Sequence, residues 1–234
     1  MILKMKMKIT IFLMTTLLTI GTSYSINATS DDSEDTLDLS SPEIQQELAQ
    51  ADIDTEKAKN SPEVDPNIEE ELELLKKENP DEYKQIVGER NKTYASGKMG
   101  KVGDILTTYD NSTSSWRHGH DAIVQSDNSR IMEAWAGKGV RNYQNNWSKR
   151  FKSKKKQYVK GADIYDKVKA QRYASSKTGK PYSVATTKKN TNKYYCSKLV
   201  WQSYKNTKGT DLDSNGGALV TPADIDRSSK TVSY

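Results

Sequence analysis

The chain has 234 residues, of which 34% are hydrophobic and 29% charged, and its mean hydropathy is −0.86. This composition indicates a polar, soluble chain, and the length allows one globular domain with additional sequence but excludes two full domains. A single cysteine excludes a disulfide within the chain.

Residues 1–28 have the layout of a secretory signal peptide. Three lysines precede an uncharged apolar run over 9–20, which is short for a membrane span. Small residues follow the run, and cleavage is expected after Ser25 or Ala28. No cysteine lies at the cleavage site, so a lipoprotein anchor is not expected. The mature protein is therefore expected to be secreted, either extracellular or associated with the cell wall.

Residues 29–99 form an acidic, partly helical region that precedes the compact domain. The region contains 20 acidic and 8 basic residues, whereas the chain after it contains 11 and 25. Its start is rich in Ser and Asp and is expected to be a disordered linker. Helices are predicted over about 41–59, 66–79 and 81–87. The region is either a solvated spacer or a prosegment that lies over a basic catalytic face, and the sequence leaves both open.

The compact domain is predicted to extend over residues 100–234. Strands are predicted over 102–108, 118–124, 130–135, 140–143 and around 158–159, and helices over 163–176 and from Cys196 onwards. The turn residues 126–129 join two of these strands in a hairpin. A turn centred between Asp127 and Asn128 places His120 opposite Trp135, with Glu133 on the same face as His120 and one diagonal step away.

Two further stretches of the domain permit more than one interpretation. The basic run over 149–156 is either a solvated loop or helix end, or a patch for anionic wall polymers or acidic lipid headgroups. The end of the chain is predicted to be rich in loops with one late extended segment. Within it, 211–216 is similar to the start of a calcium loop but has no downstream Glu, so a plain turn is predicted.

Cys196 is the candidate nucleophile. It is predicted to open an amphipathic helix, where unpaired N–H groups and the macrodipole lower a thiol pKa towards the reactive range. A lone cysteine could instead be a small buried apolar residue, or could pair between molecules. The retention of one thiol in a secreted domain without disulfides favours catalysis modestly.

A cysteine nucleophile needs a base and a group that orients the base. The chain has only two histidines, His118 and His120. His120 is the predicted base because an apolar strand follows it and Glu133 shares its face, while His118 is the alternative base or lines the substrate cleft. Asp121 points to the opposite face of the strand. No clustered Cys or His spacing indicates zinc, so neither a metal nor a cofactor is expected.

Several motifs in order resemble the permuted NlpC-type papain-like cysteine amidases, the YiiX-like group. They are Gly-Asp-Ile-Leu at 103–106, His120-Asp-Ala-Ile-Val, Ile-Met-Glu133-Ala, Gly-Val at 139–140, Tyr-Cys196-Ser-Lys-Leu-Val-Trp and Val-Thr-Pro-Ala-Asp at 220–224. The resemblance covers residues 100–234 and none of the acidic region. One departure is Ala122, where the family usually has Gly.

The resemblance implies an α+β fold in which an antiparallel sheet packs on the helix that begins with the nucleophile. It also implies Cys196 as nucleophile, His120 as base and Glu133 as the third member, with Tyr195 shaping the site. His118 and Trp135 are the other expected substrate contacts.

The expected activity is that of a secreted cysteine hydrolase that cleaves amide bonds through a thioester. Peptidoglycan stem peptides are the expected substrate, and no nucleic-acid partner is expected. The alternatives are a lipid or acyl-amide hydrolase of the same fold, or a basic cell-wall-binding or effector module without catalysis.

Overall fold

A computed structural model describes residues 35–90, 97–110 and 117–234. The expected signal peptide, residues 1–28, lies outside the described residues. All described residues belong to one compact unit. None of the helices in these three ranges is both long enough and apolar enough to cross a membrane.

Helices and strands combine in one α+β domain. In chain order the elements are α1 (Pro42–Lys59), α2 (Ile68–Glu78), α3 (Pro80–Arg90), β1 (Ile105–Thr108), β2 (His120–Val124), β3 (Arg130–Trp135), β4 (Gly139–Gln144), α4 (Trp147–Arg150), β5 (Lys155–Val159), α5 (Ile164–Ser176), α6 (Cys196–Lys208), α7 (Pro222–Asp226) and β6 (Thr231–Ser233). The strands form one antiparallel sheet in the order β4-β3-β2-β1-β5-β6.

The two faces of the sheet bury different side chains, because successive residues of a strand point to opposite sides. On one face, Ile105, Ile123 and Met132 pack against the apolar sides of α5 and α6. On the other face, Val124 packs in a cluster around Trp147. His120 and Asp121, adjacent on β2, therefore lie on opposite faces.

Helices α2 and α3 are packed against the sheet edge formed by β5 and β6. Apolar residues from both sides form one buried cluster, which includes Ile68, Leu72, Ile86, Tyr158 and Val232. The buried Glu82 carboxylate of α3 also pairs with two lysines of the domain, Lys101 and Lys167. These two helices are therefore part of the folded unit.

The predicted hairpin register is confirmed, since Ile123 pairs with Met132 and Val124 with Ile131. Two features were not predicted. The basic run ends α4 and continues as a loop over 151–154, but β5 begins within it at Lys155, earlier than the predicted strand around 158–159. The predicted loop near the end of the chain contains α7, whose start is stabilised by a capping box between Thr221 and Asp224.

Candidate active site

Cys196 is the first residue of α6, as predicted. The preceding residue, Tyr195, has an extended backbone, and its carbonyl accepts the first helical hydrogen bond from the N–H of Leu199 at 3.0 Å. Leu199 and Tyr204 anchor the helix in the core of the domain. The Tyr204 hydroxyl also donates a 2.5 Å hydrogen bond to the carbonyl of Gly103. These contacts fix the start of α6 against the sheet.

The thiol of Cys196 lies beside the start of β2. Its Sγ atom is 4.0 Å from the carbonyl oxygen of Gly119. The backbone of Asp121 also interacts with the sulfur. The positive φ of 101° at Gly119 is a left-handed conformation that glycine adopts without strain. The thiol is thus held next to the two residues that flank His120.

The expected low pKa of the thiol is not found. Cys196 is only 1% exposed, and burial raises the pKa of its thiol to about 12, with a further contribution from the charge of Asp121. Backbone groups of Asp121 and Ser197 favour the thiolate, but they do not offset the lost hydration. The prediction of a low pKa was based on the helix start, and burial, the alternative that the sequence left open for this cysteine, outweighs it.

His120 and Glu133 form a buried hydrogen-bonded pair. The Nε2 atom of His120 lies 2.8 Å from Oε2 of Glu133, and the two side chains are 1% and 0% exposed. This bond leaves Nδ1 as the ring nitrogen that is not committed to Glu133. Within the described residues the His120 ring makes no hydrogen bond to the Cys196 thiol.

Two arginines also bind Glu133. Arg141 donates to Oε1 at 2.6 and 2.8 Å, and Arg150 donates to Oε2 at 3.1 Å. Burial alone would raise the pKa of Glu133, but the hydrogen bond and charge of His120 and the two arginines lower it to about 2. Burial lowers the pKa of His120, and the arginines lower it further against the opposing effect of Glu133. The neutral imidazole is therefore the favoured form.

Neither arginine was predicted from the sequence, although the hairpin pattern could have identified Arg141. Arg141 is the direct cross-strand partner of Glu133 in the hairpin of β3 and β4. Centring that hairpin on Gly137 would have placed the two residues opposite each other. Arg150 comes from the short helix α4, and no local pattern connects it to β3.

Aromatic rings fix the orientation of the imidazole. The ring of Trp147 stacks on His120 with centroids 5.6 Å apart, and the ring of Trp135 meets it edge-on at 4.9 Å. Trp135, a predicted substrate contact, thus lies beside His120. Ala122, the departure from the family pattern, is buried in the cluster around Trp147.

The other two predicted substrate contacts are Tyr195, which packs with Cys196, and His118, which lies just before β2. Tyr195 is fully buried, and its hydroxyl accepts a 3.0 Å hydrogen bond from the N–H of Val220. His118 is 3% exposed, and its Nδ1 lies 3.4 Å from Oδ1 of Asp52 in α1. Desolvation lowers the pKa of His118, against the charge of Asp52.

Helix α1 covers this part of the domain. Its Ile44 packs in one buried cluster with Cys196, Tyr195 and Leu219. The Glu47 carboxylate accepts hydrogen bonds from the backbone N–H groups of a neighbouring loop, described below. The acidic region therefore contacts the site itself, which composition alone did not establish.

Several residues of the basic run are engaged inside the domain. Arg150 binds Glu133, and Lys155 pairs with Asp226 at 2.7 Å. The stretch at 211–216 is a loop in which Asp211 pairs with Lys205 at 2.8 Å. In the described ranges, no group of three or more His, Cys, Asp or Glu side chains could hold a metal ion.

Comparison with known proteins places these residues in a family. Residues 100–217, half of the chain, match the model of the permuted papain-like amidase enzyme, YaeF/YiiX, C92 family. The matched range contains Cys196, His120 and Glu133. It does not contain helices α1, α2 and α3.

Two individual proteins are similar over part of the chain. The uncharacterized protein YycO of Bacillus subtilis (strain 168) is 34% identical over 128 residues, which are 53% of this chain and 51% of YycO. The chain thus spans about half the length of that relative. The crystal structure of the metalloprotein yiiX from Escherichia coli O157:H7 matches with a TM-score of 0.47 and 16% identity, over 57% of this chain and 96% of yiiX.

Proposed function

The chain belongs to the permuted papain-like amidase family, and from this premise we propose that it is a secreted hydrolase that cleaves amide bonds in peptidoglycan stem peptides. The family is one of papain-like cysteine amidases, so cysteine-dependent amide hydrolysis is the reaction. The observation that supports the proposed site is the buried pair of His120 and Glu133 on the strand whose start contacts the Cys196 thiol.

In the proposed mechanism, the Cys196 thiolate attacks the amide carbonyl and forms a thioester. His120 accepts the thiol proton and donates it to the leaving amine, and then accepts a proton from the water that hydrolyses the thioester. Glu133 binds Nε2 of His120, so Nδ1 is the nitrogen available for proton transfer. Because the imidazole lies on the Trp147 face of the sheet and α6 packs on the other face, the ring must move for Nδ1 to reach the thiol. The two arginines hold the carboxylate of Glu133 in place.

Backbone N–H groups at the start of α6 are the proposed donors to the oxyanion of the tetrahedral intermediate. The backbone of Ser197 already favours negative charge on the sulfur. Donors at a helix start are positioned before the reaction, so they stabilise developing charge without reorganisation. Tyr195, His118 and Trp135 are the proposed substrate contacts around these groups.

Secretion and wall association form part of the proposal and are supported by the sequence pattern. Residues 1–28 have the signal-peptide layout, and the domain after residue 100 contains 25 basic and 11 acidic residues. In the basic run, Lys149 and Lys152 are exposed and are the proposed contacts for an anionic wall polymer or lipid surface.

The test compares the mature chain with its Cys196→Ala variant on soluble peptidoglycan fragments, and new amine ends are identified by mass spectrometry. Release that depends on Cys196 supports the proposal and identifies the bond. Release only from N-acyl amides would replace the substrate by an acyl amide. No release from either class, with the thiol demonstrably accessible to alkylation, would contradict the hydrolase assignment and favour a binding module.

A further inference from the structure

Residues 35–59, here called the covering segment, lie over the candidate nucleophile. Ile44 of this segment is 7% exposed and packs against Cys196, Tyr195 and Leu219. Leu37, Leu39 and Leu48 add to the same cluster. A substrate carbonyl can reach Sγ only if these side chains are displaced.

The Glu47 carboxylate of the covering segment is bound by two consecutive backbone amides. Oε2 accepts from the N–H of Ala218 at 2.9 Å and Oε1 from the N–H of Leu219 at 2.7 Å. The site tolerates this approach because residue 217 is glycine: a Cβ added there would overlap the carboxylate. Adjacent N–H groups that converge on one carboxylate form an anion-binding site.

This pair of amides lies beside the nucleophile. Leu219 packs in the same cluster as Cys196. The N–H of Val220, next along the chain, donates to the hydroxyl of Tyr195, which directly precedes the nucleophile. The two amides therefore belong to the same buried cluster as the thiol.

The covering segment also makes a second buried apolar contact, in which Ala58 packs with Tyr109 and Ala223, and several polar contacts. The Asp35 carbonyl accepts from the N–H of Thr187 at 3.1 Å, Asp52 pairs with Arg117, and Asp54 pairs with Arg227. Ion pairs at exposed positions are typically worth about 0–1 kcal/mol each. Helices α2 and α3 pack at the sheet edge away from Cys196, so the covering segment is the part of the acidic region whose release would uncover the thiol.

We propose that the N–H groups of Ala218 and Leu219 form a subsite for a carboxylate of the substrate, and that Glu47 occupies this subsite in the resting chain. The covering segment is then an inhibitory segment that imitates the substrate. The substrate class is a peptide with a free carboxylate close to the scissile amide. This inference deepens the proposed function and rests on it for the reaction.

The first test measures alkylation of Cys196 by iodoacetamide in the full mature chain. Glu47→Ala removes the carboxylate and is expected to speed alkylation at least tenfold, while Glu56→Ala is expected to leave the rate unchanged. Glu56 is the matched control because it lies on the same helix with its side chain 66% exposed. Equal rates in the two variants, with unchanged circular dichroism, would show that Glu47 does not hold the segment in place.

The second test examines the subsite in the Glu47→Ala variant by protection of the thiol. N-acetyl-alanyl-alanine, which has a free carboxylate, is expected to slow alkylation several-fold, and its C-terminal amide is not. Adding Gly217→Ala fills the space of the carboxylate and is expected to abolish this protection. Equal protection by the acid and the amide, or none by either, would overturn the subsite.

Both tests read thiol accessibility and require no turnover. A chain that fails to cleave any amide, yet shows carboxylate-specific protection, would contradict the proposed function and keep the subsite. A chain that cleaves amides without any preference for a free carboxylate, and whose thiol is not protected by the acid, would support the proposed function and contradict the subsite.

Discussion

Oε2 of Glu133 lies 2.8 Å from Nε2 of His120, although the two residues are on different strands and 13 positions apart. The hairpin register brings them to one face of the sheet, and Arg141 and Arg150 hold the carboxylate from its other sides. The consequence is an imidazole whose ring orientation is set by buried contacts, with Nδ1 not bound to Glu133.

Glu133→Gln is expected to lower kcat more than it changes KM, because it disturbs the orientation of His120 and leaves the nucleophile intact. Misplaced general acid–base catalysis typically costs about 10²- to 10⁴-fold, and a partial loss of about tenfold or more is expected here. Loss of the negative charge, with both arginines retained, lowers the pKa of His120. The acid limb of the kcat/KM profile should therefore move to lower pH.

The matched control for that substitution is Glu56→Gln, which makes the same change at an exposed carboxylate of α1. It should leave both kcat and the pH profile unchanged. A Glu133→Gln variant with a normal profile and normal kcat would exclude Glu133 as the residue that positions the base.

The pattern along β2 and β3 was sufficient to predict the pairing of His120 with Glu133. Strict alternation in two strands joined by a short turn allows few registers, and only one of them buries Ile123 and Met132 together. The position of Cys196 at the start of a helix could also be predicted from neighbouring residues, because the apolar spacing of Leu199 and Tyr204 defines the buried side of α6.

The sequence left open whether the acidic region covers the catalytic face, and it did not identify the residues that cover the thiol. The three ranges that meet there, 42–59, 195–196 and 218–219, are far apart in the chain and share no periodicity. Their association depends on tertiary packing and on hydrogen bonds from backbone N–H groups, which side-chain patterns do not encode. The prediction of a lowered thiol pKa was wrong for the same reason, because burial outweighs the helix start.

Stability should depend on pH through Asp121, which is fully buried near Asp224 and Asp226. Burial raises the pKa of its carboxyl to about 8, while unfolded aspartate has a pKa of about 3.9. The folded state therefore binds this proton more tightly, and the stability linked to it is present below about pH 4 and is lost as the pH rises to about 8.

Asp121→Asn is expected to remove this dependence and to raise the melting temperature more at pH 8 than at pH 4.5. Thermal unfolding of both proteins across that range measures the effect. Glu133 does not obscure it, because its pKa of about 2 places its titration below the window. Parallel pH profiles for the two proteins would show that Asp121 is not the group responsible.

Glu82 should be essential to stability, in contrast to its neighbour on α3. Its buried carboxylate pairs with Lys101 and Lys167, which are 13% and 1% exposed. Glu82→Ala leaves two poorly hydrated ammonium groups, and breaking such a buried pair costs about 3–5 kcal/mol. Asp81→Ala, at an exposed position, should change the free energy of unfolding by less than about 0.5 kcal/mol.

Urea denaturation of the two variants measures that difference. A loss below about 1 kcal/mol in Glu82→Ala would mean that solvent or Asp104 compensates the lysines, and that α3 is not anchored through this pair.

Ile44 provides a test of the covering segment that is independent of charge. Its side chain is 7% exposed against Cys196, whereas Ile53 on the same helix is 51% exposed. Ile44→Ser should weaken the packing over the thiol and speed its alkylation severalfold, because burying a full isoleucine side chain contributes about 1.5–3 kcal/mol. Ile53→Ser makes the same chemical change at the exposed site and should leave the rate unchanged. Faster alkylation in both variants would indicate general loosening of α1. Unchanged alkylation in both would mean that Ile44 does not control access to the thiol of Cys196.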